Sequence, residues 1–245
     1  MSLTAILLDM DGVLVDVSGS YRRVIAETFA HFAGRPLFEG AIQAKKDEGG
    51  FNNDWVLTDA LLRDVGLDVP FGEVVSEFER RYRGQEYDGL IREEAPAITT
   101  ETLRQLSAMA PLALVTGRVE ADAHWTLRHF GWEALIPVVV GMETQDGREK
   151  PHPFGLLHAL DLLGASPEYA AMAGDTVDDM RAAVAAGVVP VGVVPPGHDA
   201  RDHARVLVGA GARAATSRAD DLPLLLRTLL SSSENTQSAL PSRRA

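Results

Sequence analysis

The sequence predicts an α/β fold: a doubly wound parallel sheet interrupted by a helical insertion. Three observations carry this. Short, wholly apolar runs recur along the chain, as strands buried on both faces of a parallel sheet require. Stretches with apolar residues at three- and four-residue spacing lie between them. One long region, from about Ser18 to about Asp88, carries only the helical pattern.

The first strand is "AILL" at 5–8. The helical region follows, with stripes at Tyr21, Ile25, Phe29 and Phe32, at Val56, Leu57, Ala60, Leu61 and Val65, and at Val74, Val75, Phe78 and Tyr82. Alternation then resumes. Strands are expected at "LALV" (112–115), "PVVV" (137–140), "YAAMAG" (169–174), "VPVGVV" (189–194) and, more weakly, "ARAAT" (212–216). Helices are expected at 101–110, 120–131, 154–164 and 178–187, and the last three end near a glycine, a common helix stop. The domain reading is therefore an α/β core at 1–17 and 92–230, a helical cap at 18–91, and a polar, disordered tail at 231–245.

Bulk composition narrows the function. The chain has 245 residues and a formal net charge of -12, which argues against generic binding to nucleic acid or to an anionic membrane. It has no cysteine, so disulfides and thiolate metal sites are excluded. The apolar run at 5–8 is too short for a signal peptide or a membrane span, and a cytoplasmic protein, monomer or homodimer, is expected.

Chemistry gathers where the strands end. Asp9 and Asp11 follow the first strand, Thr116 with Gly117 and Arg118 the second, and Lys150 lies beyond the third. Asp175, Asp178 and Asp179 follow the fourth. In a doubly wound sheet the carboxyl ends of the strands meet in one crevice. On a strand, residues i and i+2 share a face, so Asp9 and Asp11 are expected side by side, with a cation offsetting their repulsion. Clustered carboxylates suit Mg²⁺, which takes oxygen ligands. Thr116, Lys150 and the backbone N–H groups near Gly117 suit the oxygens of a phosphoryl group, and Arg118 is a further candidate for substrate contact. A carboxylate can attack phosphorus, which assigns Asp9 as nucleophile and Asp11 as the acid that protonates the leaving oxygen and then activates water.

The four segments "DMDGVLVD", "VTGR", "KPHP" and "GDTVDD", in this order, resemble the motifs of the haloacid dehalogenase superfamily, and the insert after the first resembles its type-C1 cap. The likeness covers roughly residues 3–230 and points to the phosphatase-like branch of subfamily I. It implies a Mg²⁺ held by Asp9, the backbone carbonyl of Asp11, Asp175 and Asp179, and phosphate contact by Thr116 and Lys150. Val13 stands where many members have Thr, and Val17 where Ser is common. Asp11 argues against the dehalogenases, which lack a second aspartate, and against phosphonate hydrolases. The implied activity is hydrolysis of a small phosphorylated metabolite through an aspartyl-phosphate. A phosphosugar mutase is the nearest alternative, and free phosphate release separates the two. A signalling receiver module places its phosphorylated aspartate after a later strand, where this chain has Thr116.

The stretch "EGGFNNDWVLTDAL" (48–61) is the most unusual part of the insert. Read plainly, it starts a helix with Asn53 or Asp54 as N-cap. Read functionally, residues 48–55 form a lid, with Asn52 and Asn53 contacting substrate. Histidinol phosphate, phosphoglycolate and a sugar phosphate are the candidate substrates.

Overall fold

The computed structural model describes residues 3–48, 51 and 53–238. Strands form at Ala5–Leu8 (β1), Val15–Asp16 (β2), Ala95–Pro96 (β3), Leu112–Val115 (β4), Val138–Val140 (β5), Ala170–Gly174 (β6), Val189–Val193 (β7) and Ala214–Thr216 (β8). Six of them make one sheet in the order β5-β4-β1-β6-β7-β8, and every pairing in it is parallel. β1, β4 and β6 are buried along their whole length. That burial is why they read as unbroken apolar runs rather than as alternating ones. β2 and β3 pair separately.

Strand order reverses on either side of β1. The chain runs from β1 outward through β4 to β5, then returns to β1's other edge at β6. A switch of this kind opens a crevice at the carboxyl ends of the strands. Asp9, Thr116 and Asp175 each follow the last residue of one of the three central strands.

The chain divides into two compact units, residues 16–95 and residues 1–15 with 96–245. The first holds helices Tyr21–Ala33 (α1), Ala41–Asp47 (α2), Asp54–Asp64 (α3) and Phe71–Tyr82 (α4). Its core is Val24, Ile25 and Phe29 of α1, Leu57, Leu61 and Leu62 of α3, and Val74, Phe78 and Tyr82 of α4. Val56 and Val65, expected on the buried stripe of α3, are exposed, because Leu62 and Thr58 take the inward positions. The second unit adds Thr100–Met109 (α5), Glu120–His129 (α6), Met142–Gln145 (α7), Phe154–Leu163 (α8), Val177–Ala186 (α9), Ala200–Gly209 (α10) and Leu222–Ser238 (α11).

α11 runs to Ser238, past residue 231 where the polar tail was expected to begin, and residues 239–245 lie outside the described ones. Elongating an existing helix needs no new nucleus. Leu222 and Leu226 are buried and anchor its start, and Ser231 donates back to the Arg227 carbonyl at 3.1 Å. The unit boundaries also fall a few residues from the expected 18 and 91, at β2 and β3.

Asn52 lies outside the described residues, as do Gly49 and Gly50. Asn53 is the N-cap of α3, with extended backbone, and its Oδ1 accepts from the N–H groups of Trp55 (3.0 Å) and Val56 (3.3 Å). Losing such a cap costs about 0.5–2 kcal/mol. Asn53→Ala is therefore expected to lower unfolding stability by roughly 1 kcal/mol and Asn53→Asp to keep most of it. Denaturant midpoints of the two variants check this, and equal losses would show that the cap bond contributes little.

Candidate active site

Asp9 leaves the sheet directly after β1, and its N–H still donates to the Ala173 carbonyl of β6 at 2.9 Å. Its side chain is buried. Lys150, on the segment before α8, reaches across to it. The Lys150 ammonium donates to Asp9 Oδ1 at 2.8 Å, to Asp179 Oδ1 at 2.5 Å and to the Val115 carbonyl at 3.2 Å. All three donor positions of an ammonium are thus used.

Asp179 is held from both sides. Its Oδ2 accepts from the Thr176 N–H (2.9 Å) and hydroxyl (2.6 Å), and its own N–H donates to Thr176 Oγ1 (3.2 Å). This is a capping box at the start of α9, which aims the remaining oxygen at Lys150. The backbone at Gly174 has to come this close: a side chain there would overlap the Asp179 carboxylate.

Asp9, Asp175 and Asp179 each offer an oxygen atom within 4.8 Å of the other two. Burial raises the Asp9 pKa to about 7. Lys150 opposes the rise, and Asp179 and Asp11 add to it. Burial, followed by the charges of Asp179 and Asp9, also lifts Asp175 well above the carboxylate range. Burial alone would depress Lys150, but Asp179 and Asp9 outweigh it and hold the ammonium charged. The Oδ1 atom of Asp175 is buried with no hydrogen-bond partner among the described residues. An all-oxygen donor set, crowded negative charge and an orphaned carboxylate oxygen fit a divalent cation of the hard, oxygen-seeking kind.

Asp11 lies on the turn that follows β1, and its charge still adds to the raised pKa of Asp9. β1 ends at Leu8, and the chain turns at Gly12, whose φ is 77°. A Cβ at Gly12 would collide with the Asp175 carboxylate, so both the turn and the close approach require glycine. Asp11 faces the guanidinium of Arg118, whose Nε donates to Asp11 Oδ1 at 2.8 Å while its Nη2 lies 2.5 Å from the same oxygen. The sequence assigns Arg118 to substrate contact. In the structure its side chain is 1% exposed, and it also donates from Nη1 to Thr126 Oγ1 of α6 at 3.2 Å. Its partner within the chain is an aspartate, because a permanently charged group cannot be buried without one.

Thr116 is buried at the end of β4, its N–H donates to the Val140 carbonyl at 3.0 Å, and its Oγ1 accepts from the Arg118 N–H at 3.2 Å. Gly117, next in the chain, is exposed. Gln145, absent from the sequence-based set, buttresses this turn: its Nε2 donates to the Thr116 carbonyl at 2.7 Å and to the Gly141 carbonyl at 3.1 Å. Glu120 joins the same network, accepting from the Gly141 N–H and from the Thr144 hydroxyl. Nothing local marks Gln145 as special in the sequence. Thr176, by contrast, is legible as the T-x-x-D start of a helix.

The chain is 42% identical over 200 residues to an imidazoleglycerol-phosphate dehydratase of Phytophthora nicotianae, matching 78% of this chain but only 43% of that longer relative. It is 27% identical over 197 residues to a phosphoglycolate phosphatase of Xanthomonas campestris, covering 76% of this chain and 81% of the relative. A solved HAD family hydrolase from Deinococcus radiodurans, with bound phosphate and sodium, superposes with a TM-score of 0.68 at 27% identity, covering 91% of this chain and 95% of the other. The family model of the haloacid dehalogenase-like hydrolases matches residues 3–187, so the two-unit chain with its acidic strand ends belongs to the haloacid dehalogenase-like hydrolases.

Proposed function

We propose that this protein is a Mg²⁺-dependent phosphatase that hydrolyses a small phosphorylated metabolite through an aspartyl-phosphate on Asp9. The observation that carries the reading is the Lys150 ammonium seated between Asp9 and Asp179, with Asp175 beside them. The resemblance of the motifs and the phosphatase name of one relative support it. Asp9, Asp175 and the Asp11 carbonyl would hold Mg²⁺, with Asp179 supporting. The ion would supply charge neutralisation that lets an anionic phosphoryl group approach an anionic nucleophile.

In this reading an Asp9 oxygen bonds to phosphorus as the ester P–O bond breaks, and Asp11 gives its proton to the departing alcohol. Asp11 then takes a proton from water as that water displaces Asp9, releasing phosphate. Thr116 and the Gly117 N–H would receive the phosphoryl oxygens, joined by Lys150 on exchanging one of its present contacts. The phosphate ester named for the 42% identical relative bears an imidazole ring, which keeps histidinol phosphate beside phosphoglycolate as a substrate to test. A panel of metabolite phosphates, scored for free phosphate in the presence of Mg²⁺, tests the activity. Transfer of the phosphoryl group back to a sugar, without release, would favour a mutase.

Asp9→Asn is expected to lower turnover at least roughly a thousandfold without unfolding the chain, since an amide forms no acyl phosphate. Phosphate release and trapping of radiolabelled phosphoenzyme check this, and a folded, active Asp9→Asn protein would remove Asp9 from the role of nucleophile.

Metal should couple to stability through Asp9 and Asp175. A carboxyl group whose folded pKa lies above its unfolded value contributes stability at low pH and loses it as pH rises through the folded pKa. For Asp9 that window runs from 3.8 to about 7, and Asp175 acts in the same direction. The metal-free chain should therefore lose stability across it. Mg²⁺, which binds the ionised groups, should raise the melting temperature more at pH 8 than at pH 5. Thermal melts with and without Mg²⁺ at several pH values check this, and a pH-independent shift would exclude binding at these carboxylates.

A further inference from the structure

The phosphatase reading gives Asp11 a proton to deliver but does not say what holds it in place. A lone aspartate on a turn has free side-chain torsions, and a proton donor must lie within hydrogen-bond reach of the leaving oxygen. In this chain the restraint comes from Arg118. We propose that Arg118 is a positioning residue that clamps Asp11 Oδ1 and so reserves Oδ2 as the proton-carrying oxygen.

Three observations carry the proposal. First, Arg118 Nε and Nη2 both converge on Oδ1. Arginine has five donors and no acceptor, so the oxygen it faces must accept, and any proton on Asp11 sits on the other oxygen. Second, the clamp is itself rigid. The Arg118 side chain is 1% exposed, Nη1 is tied to Thr126 Oγ1, the Arg118 N–H donates to Thr116 Oγ1, and the Arg118 carbonyl accepts from the Met142 N–H at 2.8 Å. Third, the clamped residue stays open: the Asp11 side chain is 35% exposed although its partner is buried. A buried, anchored cation holding one oxygen of an accessible carboxylate is the geometry that orients an acid.

The proton balance is simple. As the Asp9–phosphorus bond forms and the ester P–O bond breaks, the Oδ2 proton passes to the departing alcohol oxygen, while Oδ1 keeps both guanidinium contacts. In the second step Oδ2 recovers a proton from the attacking water. Arg118 exchanges no proton and touches no reacting atom.

Because Arg118 would act only where a proton is delivered, its loss should depend on the leaving group. The experiment measures kcat/KM for a series of phosphate monoesters, from p-nitrophenyl phosphate, whose phenolate leaves unaided, to alkyl phosphates, whose alkoxides need the proton. Wild type, Arg118→Gln, Arg118→Lys, Asp11→Asn and the Asp11→Asn/Arg118→Gln double variant are compared. Arg118→Gln is expected to lose about tenfold or more in kcat/KM for alkyl esters relative to p-nitrophenyl phosphate, a fraction of the 10²–10⁴ that acid catalysis supplies. Arg118→Lys, which keeps the charge and one directed donor, should recover part of that selectivity and provides the measurement if the glutamine variant does not fold. In the Asp11→Asn background, Arg118→Gln should add no further leaving-group dependence. Equal losses for all esters, or an undiminished effect of Arg118→Gln when Asp11 is already Asn, would overturn the proposal while leaving the phosphatase reading intact. A wild-type protein that hydrolyses none of the esters would overturn both.

Discussion

Everything at the sheet's carboxyl end depends on one buried ammonium. Lys150 joins Asp9 and Asp179, which stand far apart in the chain, and adds the Val115 carbonyl from a third strand end. Like charges this close in a buried setting repel strongly, and breaking a buried ion pair typically costs 3–5 kcal/mol because one charge is left uncompensated. The features around it serve the same demand. The capping box fixes Asp179 so that one oxygen faces the lysine, and Gly12 and Gly174 leave room for Asp175 and Asp179. One cation for three carboxylates still leaves an excess of negative charge, visible in the raised pKa values of Asp9 and Asp175.

The two leading aspartates therefore have different surroundings despite being two residues apart. Asp9 faces Lys150 in the buried cluster, whereas Asp11 faces Arg118 with its side chain partly open. The chain turns at Gly12, directly after Asp11. A continued strand would have put both carboxylates on one face in one environment. Two carboxyl groups kept in distinct settings suit distinct tasks, one attacking and one handling protons.

The turn after β4 is held from below rather than by its own sequence. Gln145 grips the Thr116 carbonyl, Glu120 grips Gly141 and Thr144, and Arg118 is locked to Thr126. These ties are directional, and Gln145, Arg118 and Thr126 are buried. Such a network positions a side chain more tightly than a solvated loop does.

The sheet was legible in the sequence because strands buried on both faces must be apolar throughout, a local and unambiguous mark. Asp9, Thr116 and Asp175 were legible because each directly follows such a strand. Elements that pack on one face left weaker marks. α10 buries only Leu207, and α7 spans four residues. α11 runs from an apolar start into a polar end, and no helix was expected there. β1 stops at Leu8 and Gly12 turns the chain, so strand alternation does not set the surroundings of Asp11. The partner of Arg118 lies 107 residues away and that of Lys150 lies 141 residues away. Local sequence determined which charged groups stand at the strand ends. Only the tertiary structure decided which cation meets which carboxylate, because ion pairing is set by distance in space, and that distance exists only once the parallel strands have brought remote loops together.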